Sequence, residues 1–350
     1  MTVTPELLKQ IPMFSDLQEA ELVAIMGCFT EASIAAGETI YLEGDAATSA
    51  CFLIEGELEA LKALPGGGAA QVGTIGPGCM IGEMALVAGG TRSATVRAIT
   101  SSTVLTVSYH FFHAALDQMS VPAFKILRSV IHSLTGRLEE LQGRILEQWD
   151  CEAYSLPSHA SAPESGLPGA SPERAQSFNY RPFLPVLPFF ASFTESEIDL
   201  VAARAKVVEL QRGEFLFREG APVEACYILV HGATENSVIR DRRYQLSICG
   251  PGRLCGANAM IRGTSCNSDA RIRSAALLLG FDKPAFEGLY LGETTECLKF
   301  QNTVSINQLQ ELKTADNLLT TLVSQNHILE GARNRGPQSP GRLSETTLDI

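Results

Sequence analysis

The chain repeats itself once. Gly37-Glu38-x-Ile40-Tyr41-Leu42-Glu43-Gly44 recurs as Gly213-Glu214-x-Leu216-Phe217-Arg218-Glu219-Gly220, and Cys51-Phe52-Leu53-Ile54-x-Gly56 returns at the same offset as Tyr227-Ile228-Leu229-Val230-x-Gly232. Gly76-Pro77-Gly78 and Gly82 answer to Gly250-Pro251-Gly252 and Gly256, with two residues lost between. Upstream, Ile11-Pro12-Met13-Phe14 matches Leu187-Pro188-Phe189-Phe190. A period of roughly 175 residues is far longer than any solenoid unit, so what is duplicated is a whole domain. A chain of 350 residues has room for two.

Between the copies, five prolines and six serines fall within 155–182 with no helical or strand period, which predicts a flexible tether. The expected division is a first domain over 1–150, a linker over 151–182, a second domain over 183–332 and a disordered tail over 333–350. Within the first copy, 38–41, 50–54, 58–64, 70–75, 93–98 and 103–108 read as short strands separated by glycine turns. Evenly spaced short strands predict an all-β roll or barrel. Helical stretches over 5–14 and 17–29 precede it. A long helix over 124–145 follows, with Phe124, Leu127, Ile131, Leu134, Leu138, Leu141 and Ile145 in steps of three and four. So narrow a seam is of coiled-coil type and predicts a homodimer through this helix. A weaker seam, Leu312, Ala315, Leu319, Leu322 and Leu329, follows the second copy and is interrupted at Asn326.

Charge excludes some functions. The net charge of −12 repels a phosphate backbone, and no basic recognition helix is present, so direct DNA binding is not expected. No apolar run is long enough to cross a bilayer, and residues 1–9 lack a secretory signal pattern. Nine scattered cysteines without a C-x-x-C pair predict reduced core thiols, no metal site and a cytoplasmic protein. The six histidines are dispersed and no catalytic constellation is visible, so the chain is not expected to be an enzyme or to carry a cofactor.

The chemistry sits in Ile81-Gly82-Glu83-Met84-Ala85-Leu86 and, beyond Gly89-Gly90-Thr91, in Arg92-Ser93-Ala94-Thr95-Val96. A glycine at the mouth of a short helix leaves backbone N–H groups open to an anion. An arginine ten residues on folds back to grip a phosphate through parallel hydrogen bonds. Glu83 repels a phosphate but suits a ribose 2′-hydroxyl. One ligand with a phosphate and a free 2′-hydroxyl meets both demands.

With these residues in place the chain resembles the cyclic nucleotide-binding domains. The run G-E-M-A-L-V-x-x-x-x-R-S-A-T-V-R-A is similar to that family's phosphate-binding cassette at every usual position, and the resemblance extends over roughly 5–150 and, more loosely, 185–310. It implies a mainly β fold of two tandem jelly-roll-like β-rolls of eight strands, flanked by helices. It implies ligand contacts from Gly82, Glu83, Met84, Ala85, Arg92 and Ser93, and a base contact from the following helix, where Thr135, Arg137 and Glu139 lie near the expected turn. Cyclic AMP is favoured over cyclic GMP because Ser93 follows Arg92 as in the catabolite activator protein.

The second copy departs where it matters. Ala257 stands at the glutamate position, Cys266 at the arginine position and Asn267 after it, and Arg262, Arg271 and Arg273 are candidates to compensate. A degenerate, non-binding domain is expected. The chain as a whole reads as a non-catalytic cyclic-nucleotide sensor that acts on an unidentified protein effector by helix rearrangement. A scaffold with non-binding rolls and an indirect transcriptional regulator are the alternatives.

Overall fold

The computed structural model describes residues 3–63, 68–149, 179–240 and 242–334. The linker expectation and the tail therefore fall largely outside the described residues. In the first half α1 (Pro5–Lys9) and α2 (Glu19–Met26) precede eight strands, β1 (Phe29–Ile34), β2 (Thr39–Tyr41), β3 (Ser49–Glu55), β4 (Leu58–Ala63), β5 (Ala69–Ile75), β6 (Met80–Ile81), β7 (Thr95–Ala98) and β8 (Ser102–Ser108). A short α3 (Glu83–Ala88) lies between β6 and β7, and α4 (Tyr109–Asp117) and α5 (Val121–Trp149) follow β8. The strands form two four-stranded antiparallel sheets, ordered β1-β8-β3-β6 and β2-β7-β4-β5. This is the eight-stranded roll that the family resemblance implies. Of its strands, β1 and β6 went unread, because the first continues a helical-looking segment and the second is two residues long.

The second half repeats the plan with α6 (Glu195–Ala202), β9 (Lys206–Leu210), β10 (Phe215–Phe217), β11 (Ala225–Ile239), β12 (Arg243–Cys249), β13 (Leu254–Cys255), α7 (Ala257–Arg262), β14 (Asp269–Asp282), α8 (Lys283–Tyr290) and α9 (Thr295–Asn334). Here two strands run unbroken where the first copy has β3 then β4 and β7 then β8, so one six-stranded sheet spans the roll. The capping of α6 is reciprocal: Thr194 Oγ1 accepts from the Glu197 N–H while Glu197 accepts from the Thr194 N–H.

The long helices decide how the halves meet. Leu127, Ile131, Leu134, Leu138, Leu141 and Ile145 of α5 are buried in one core with Leu309, Leu312, Ala315, Leu319 and Leu322 of α9. The pair is parallel. Near its start Arg128 donates to Gln301 at 2.8 Å, while Trp149 at the end of α5 stacks on Tyr244 of β12 with centroids 5.0 Å apart. In return Lys62 of β4 donates to Asp316 of α9 at 2.8 Å. Each helix thus crosses onto the other domain's hairpin. The seam over 124–145, expected to hold a homodimer, is covered in this structure by the chain's own α9. The physical reason is proximity, since a duplicated domain supplies the partner helix in the same chain at high effective concentration.

Leu138→Ala and Leu312→Ala are each expected to destabilise the chain by about 2–5 kcal/mol in urea unfolding. At equivalent heights of one seam, their combined effect should be less than additive.

Candidate phosphate site of the first domain

The loop that carries Arg92 is pinned by its backbone. Arg92 N donates to Asp45 O at 2.8 Å, and Gly44 N donates to Arg92 O at 3.0 Å. The side chain turns inward and is 7% exposed. Its guanidinium lies 3.3 Å over the Tyr41 ring centroid. Nη1 donates to the Tyr109 hydroxyl at 3.1 Å and Nη2 to Ser49 Oγ at 3.5 Å. Tyr109 donates in turn to Gly82 O at 2.7 Å. Burial pushes the Tyr109 phenol up to about 12, so it remains a donor. Among the described residues no carboxylate pairs with Arg92. A buried cation held only by neutral groups is destabilising unless an anion joins it.

Gly82 lets this happen. Its φ is +86°, and a Cβ there would stand 2.5 Å from Arg92 Nη1. Glu83, which opens α3, accepts from Arg137 Nη1 of α5 at 2.9 Å. Met84 places its sulfur 3.9 Å from Ser93 Oγ, and Ser93 is exposed at the mouth. Ala85 follows on α3. Gly82, Glu83, Met84, Arg92 and Ser93 border one cavity of about 1110 Å³.

Thr135 does not join them. It is 1% exposed, and its hydroxyl donates to its own helix at His132 O, 2.8 Å away. One residue turns an α-helix by about 100°, so Gly136 and Arg137 border the cavity while Thr135 turns into the packing. The opposite wall, unread in the sequence, comes from the second domain: Asp316, Leu319 and Thr320 of α9. Tyr41 and Tyr109, which hold Arg92, were also missed. Only the repeat hinted at Tyr41, through its counterpart Phe217.

The equivalent place in the second domain is closed. Cys266 occupies the backbone position of Arg92, since Cys266 N donates to Ala221 O at 2.9 Å and Gly220 N to Cys266 O at 2.7 Å. A Cβ on Gly256 would meet not an arginine but the Phe217 ring, at 2.4 Å, and that ring packs on Tyr227. None of the three candidate arginines substitutes. Arg262 lies 3.7 Å from Glu139 of α5, Arg271 donates to Gly213 O at 3.0 Å, and Arg273 lies 3.4 Å from Glu235. Asn267 hydrogen-bonds Gln142 of α5, so the degenerate cassette has become a helix-docking surface.

Gly82→Ala is expected to lower unfolding stability by about 1–3 kcal/mol, the cost of a left-handed non-glycine residue. It should also displace the Arg92 guanidinium, which the Tyr109 ring resonances report in NMR.

The family model of the cyclic nucleotide-binding domain matches residues 31–119 and again 207–292. A cyclic nucleotide-gated potassium channel of Mesorhizobium japonicum is 34% identical over 114 residues, 33% of this chain and 29% of the channel. The chain thus spans under a third of that relative's length. Among solved structures, the regulatory domain of Toxoplasma gondii PKA with cAMP is 17% identical, over 81% of this chain and 89% of that one, with a TM-score of 0.30. A cyclic nucleotide-binding domain of Methylobacillus flagellatus is 25% identical, over 41% of this chain and 80% of that one, with a TM-score of 0.37. No helix among the described residues is long and apolar enough to cross a membrane. Two matched regions that coincide with two rolls leave one conclusion: the chain belongs to the cyclic nucleotide-binding domain family and carries the domain twice.

Proposed function

We propose that the protein is a non-catalytic, cytoplasmic cyclic-nucleotide sensor that binds one ligand, in its first domain, and signals to a protein effector. The observation that carries this reading is Arg92: buried, held by Tyr41, Tyr109 and Ser49, and lacking an anionic partner among the described residues. A cyclic phosphate supplies that partner by charge-assisted hydrogen bonds, with the exposed Ser93 hydroxyl beside it. The ribose 2′-hydroxyl then donates to Glu83.

That last contact competes with Arg137. Arg137 is 43% exposed and Glu83 13%, so solvent screens the pair from the arginine's side and a ribose hydroxyl can take its place. Releasing Arg137 frees one tie between the cassette and α5. Ligand binding therefore favours a second packing of α5, a population shift set by differential affinity for two states. Cyclic AMP is the proposed ligand over cyclic GMP, on the Arg92-Ser93 pair. The second domain takes none, because its counter-charge is missing and Phe217 fills the space.

Calorimetric titration of the full chain with cyclic AMP and cyclic GMP tests this. One nucleotide per chain is expected, with cyclic AMP bound more tightly. Arg92→Ala should weaken binding by about 3 kcal/mol, roughly 100-fold. Unchanged affinity in that variant, or two ligands per chain, would overturn the assignment.

A further inference from the structure

The degenerate second domain carries a chemical group that the first lacks. In the first roll Leu58 pairs with Ile75 across β4 and β5, and Cys51 pairs with Ile81 across β3 and β6. The same register in the second roll pairs Thr234 with Cys249 and Tyr227 with Cys255. Three apolar core positions, Leu58, Ile75 and Ile81, have thus become Thr234, Cys249 and Cys255. Both cysteines are free thiols in one buried cluster, 3% and 4% exposed.

The three side chains meet. Thr234 is the cross-strand partner of Cys249 and also lies against Cys255, so the two thiols share one neighbour. Thr234 Oγ1 lies 3.7 Å from Cys255 Sγ, and Asn236 Nδ2 donates to Cys249 Sγ at 3.7 Å. Cys249 is therefore ringed by donors, with the Arg253 cation nearby, and its thiol is held below the ordinary range, first by Cys255. Its partner is raised, first by Cys249. One low and one high thiol against the same threonine is an arrangement that suits an attacking and a resolving cysteine. On the far side stands Glu311 of α9, whose carboxyl is pushed up to about 8 by burial and by Cys249.

We propose that Cys249 and Cys255 form a reversible disulfide in the presence of a small peroxide. The Cys249 thiolate attacks one peroxide oxygen; the O–O bond breaks, leaving a sulfenic acid on Cys249 and releasing hydroxide. The Cys255 sulfur then attacks the Cys249 sulfur, the S–O bond breaks, and the hydroxyl departs with the Cys255 proton as water. The two thiols together lose two electrons, and the peroxide gains them. Cysteines only 3% and 4% exposed are out of reach of bulky disulfide oxidants, so the proposed oxidant is one as small as hydrogen peroxide. Glu311 lies on the helix that also presents Asp316 and Thr320 to the first-domain cavity, about one and a half turns before Asp316. The chemistry itself stands independently of whether that cavity takes a nucleotide.

The full-length protein is treated with hydrogen peroxide, unfolded, alkylated and digested with trypsin. Cleavage after Arg243, Arg253 and Arg262 puts Cys249 and Cys255 on separate adjacent peptides. The expected result is that these two peptides appear joined, lighter by two hydrogens, with alkylation lost at both cysteines together and restored by a thiol reductant. In Cys255→Ser the reaction should stop at a sulfenic acid on Cys249 that a dimedone probe traps. The peptide map of the wild-type chain decides alone, without reliance on any variant's folding. Full alkylation of Cys249 and Cys255 after peroxide, with oxidation confined to the exposed Cys79, would overturn the proposal, as would a disulfide joining either cysteine to another.

Discussion

A helix with one apolar face must bury that face against something, and in this chain α5 and α9 bury theirs against each other. Most of the remaining architecture depends on that contact. It brings β4 under α9 through Lys62 and Asp316, and β12 under α5 through Trp149 and Tyr244. It also determines the walls of the first-domain cavity, since neither roll alone encloses that space. A dimer-like arrangement is reached without a second molecule.

The two cassettes differ in what they face. Each opens toward the interior of its roll on one side and toward a long helix on the other. In the first domain Arg92 points into the roll and waits on an anion, while Glu83 holds Arg137 of its own helix. In the second, Cys266 and Phe217 close the roll, and Asn258, Thr264 and Arg262 all turn to Glu139 of α5. The degenerate domain thus carries the docking contacts without the arginine of the first. That explains why its glycine framework persists: Gly256 still avoids a side chain, though against an aromatic ring and not a guanidinium.

What could be read from residues alone was what short-range spacing encodes. The distance from Gly82 to Arg92 is a property of one loop, so the cassette, the glycine turns and six of the first roll's strands were legible. So was the second copy's loss, because the repeat supplied its own comparison. Thr135 failed because helical phase must be known to a single residue, and a hydroxyl one step from the correct face bonds to His132 instead. The seam itself was legible, but its partner was not. Leucines at three- and four-residue steps state that a helix will be covered, while the covering helix lies more than 150 residues away in the chain and its own pattern is interrupted. Tyr109, at the head of a helix that looks merely amphipathic, gave no signal for its bond to Arg92.

The helix that covers the first site also carries the sharpest asymmetry. At the same offset that relates Gly82 to Gly256, Arg137 of α5 corresponds to Glu311 of α9. The first domain thus places a cation from its helix beside Glu83, whereas the second places a carboxyl beside Cys249, with an alanine where the glutamate stood. Burial raises that carboxyl to about 8, so near neutral pH it holds its proton and carries little charge. The cation that faces the first roll therefore has a near-neutral acid as its counterpart at the second. With Cys266 in place of Arg92 as well, the second roll has no cation at either of the two positions where the first has one.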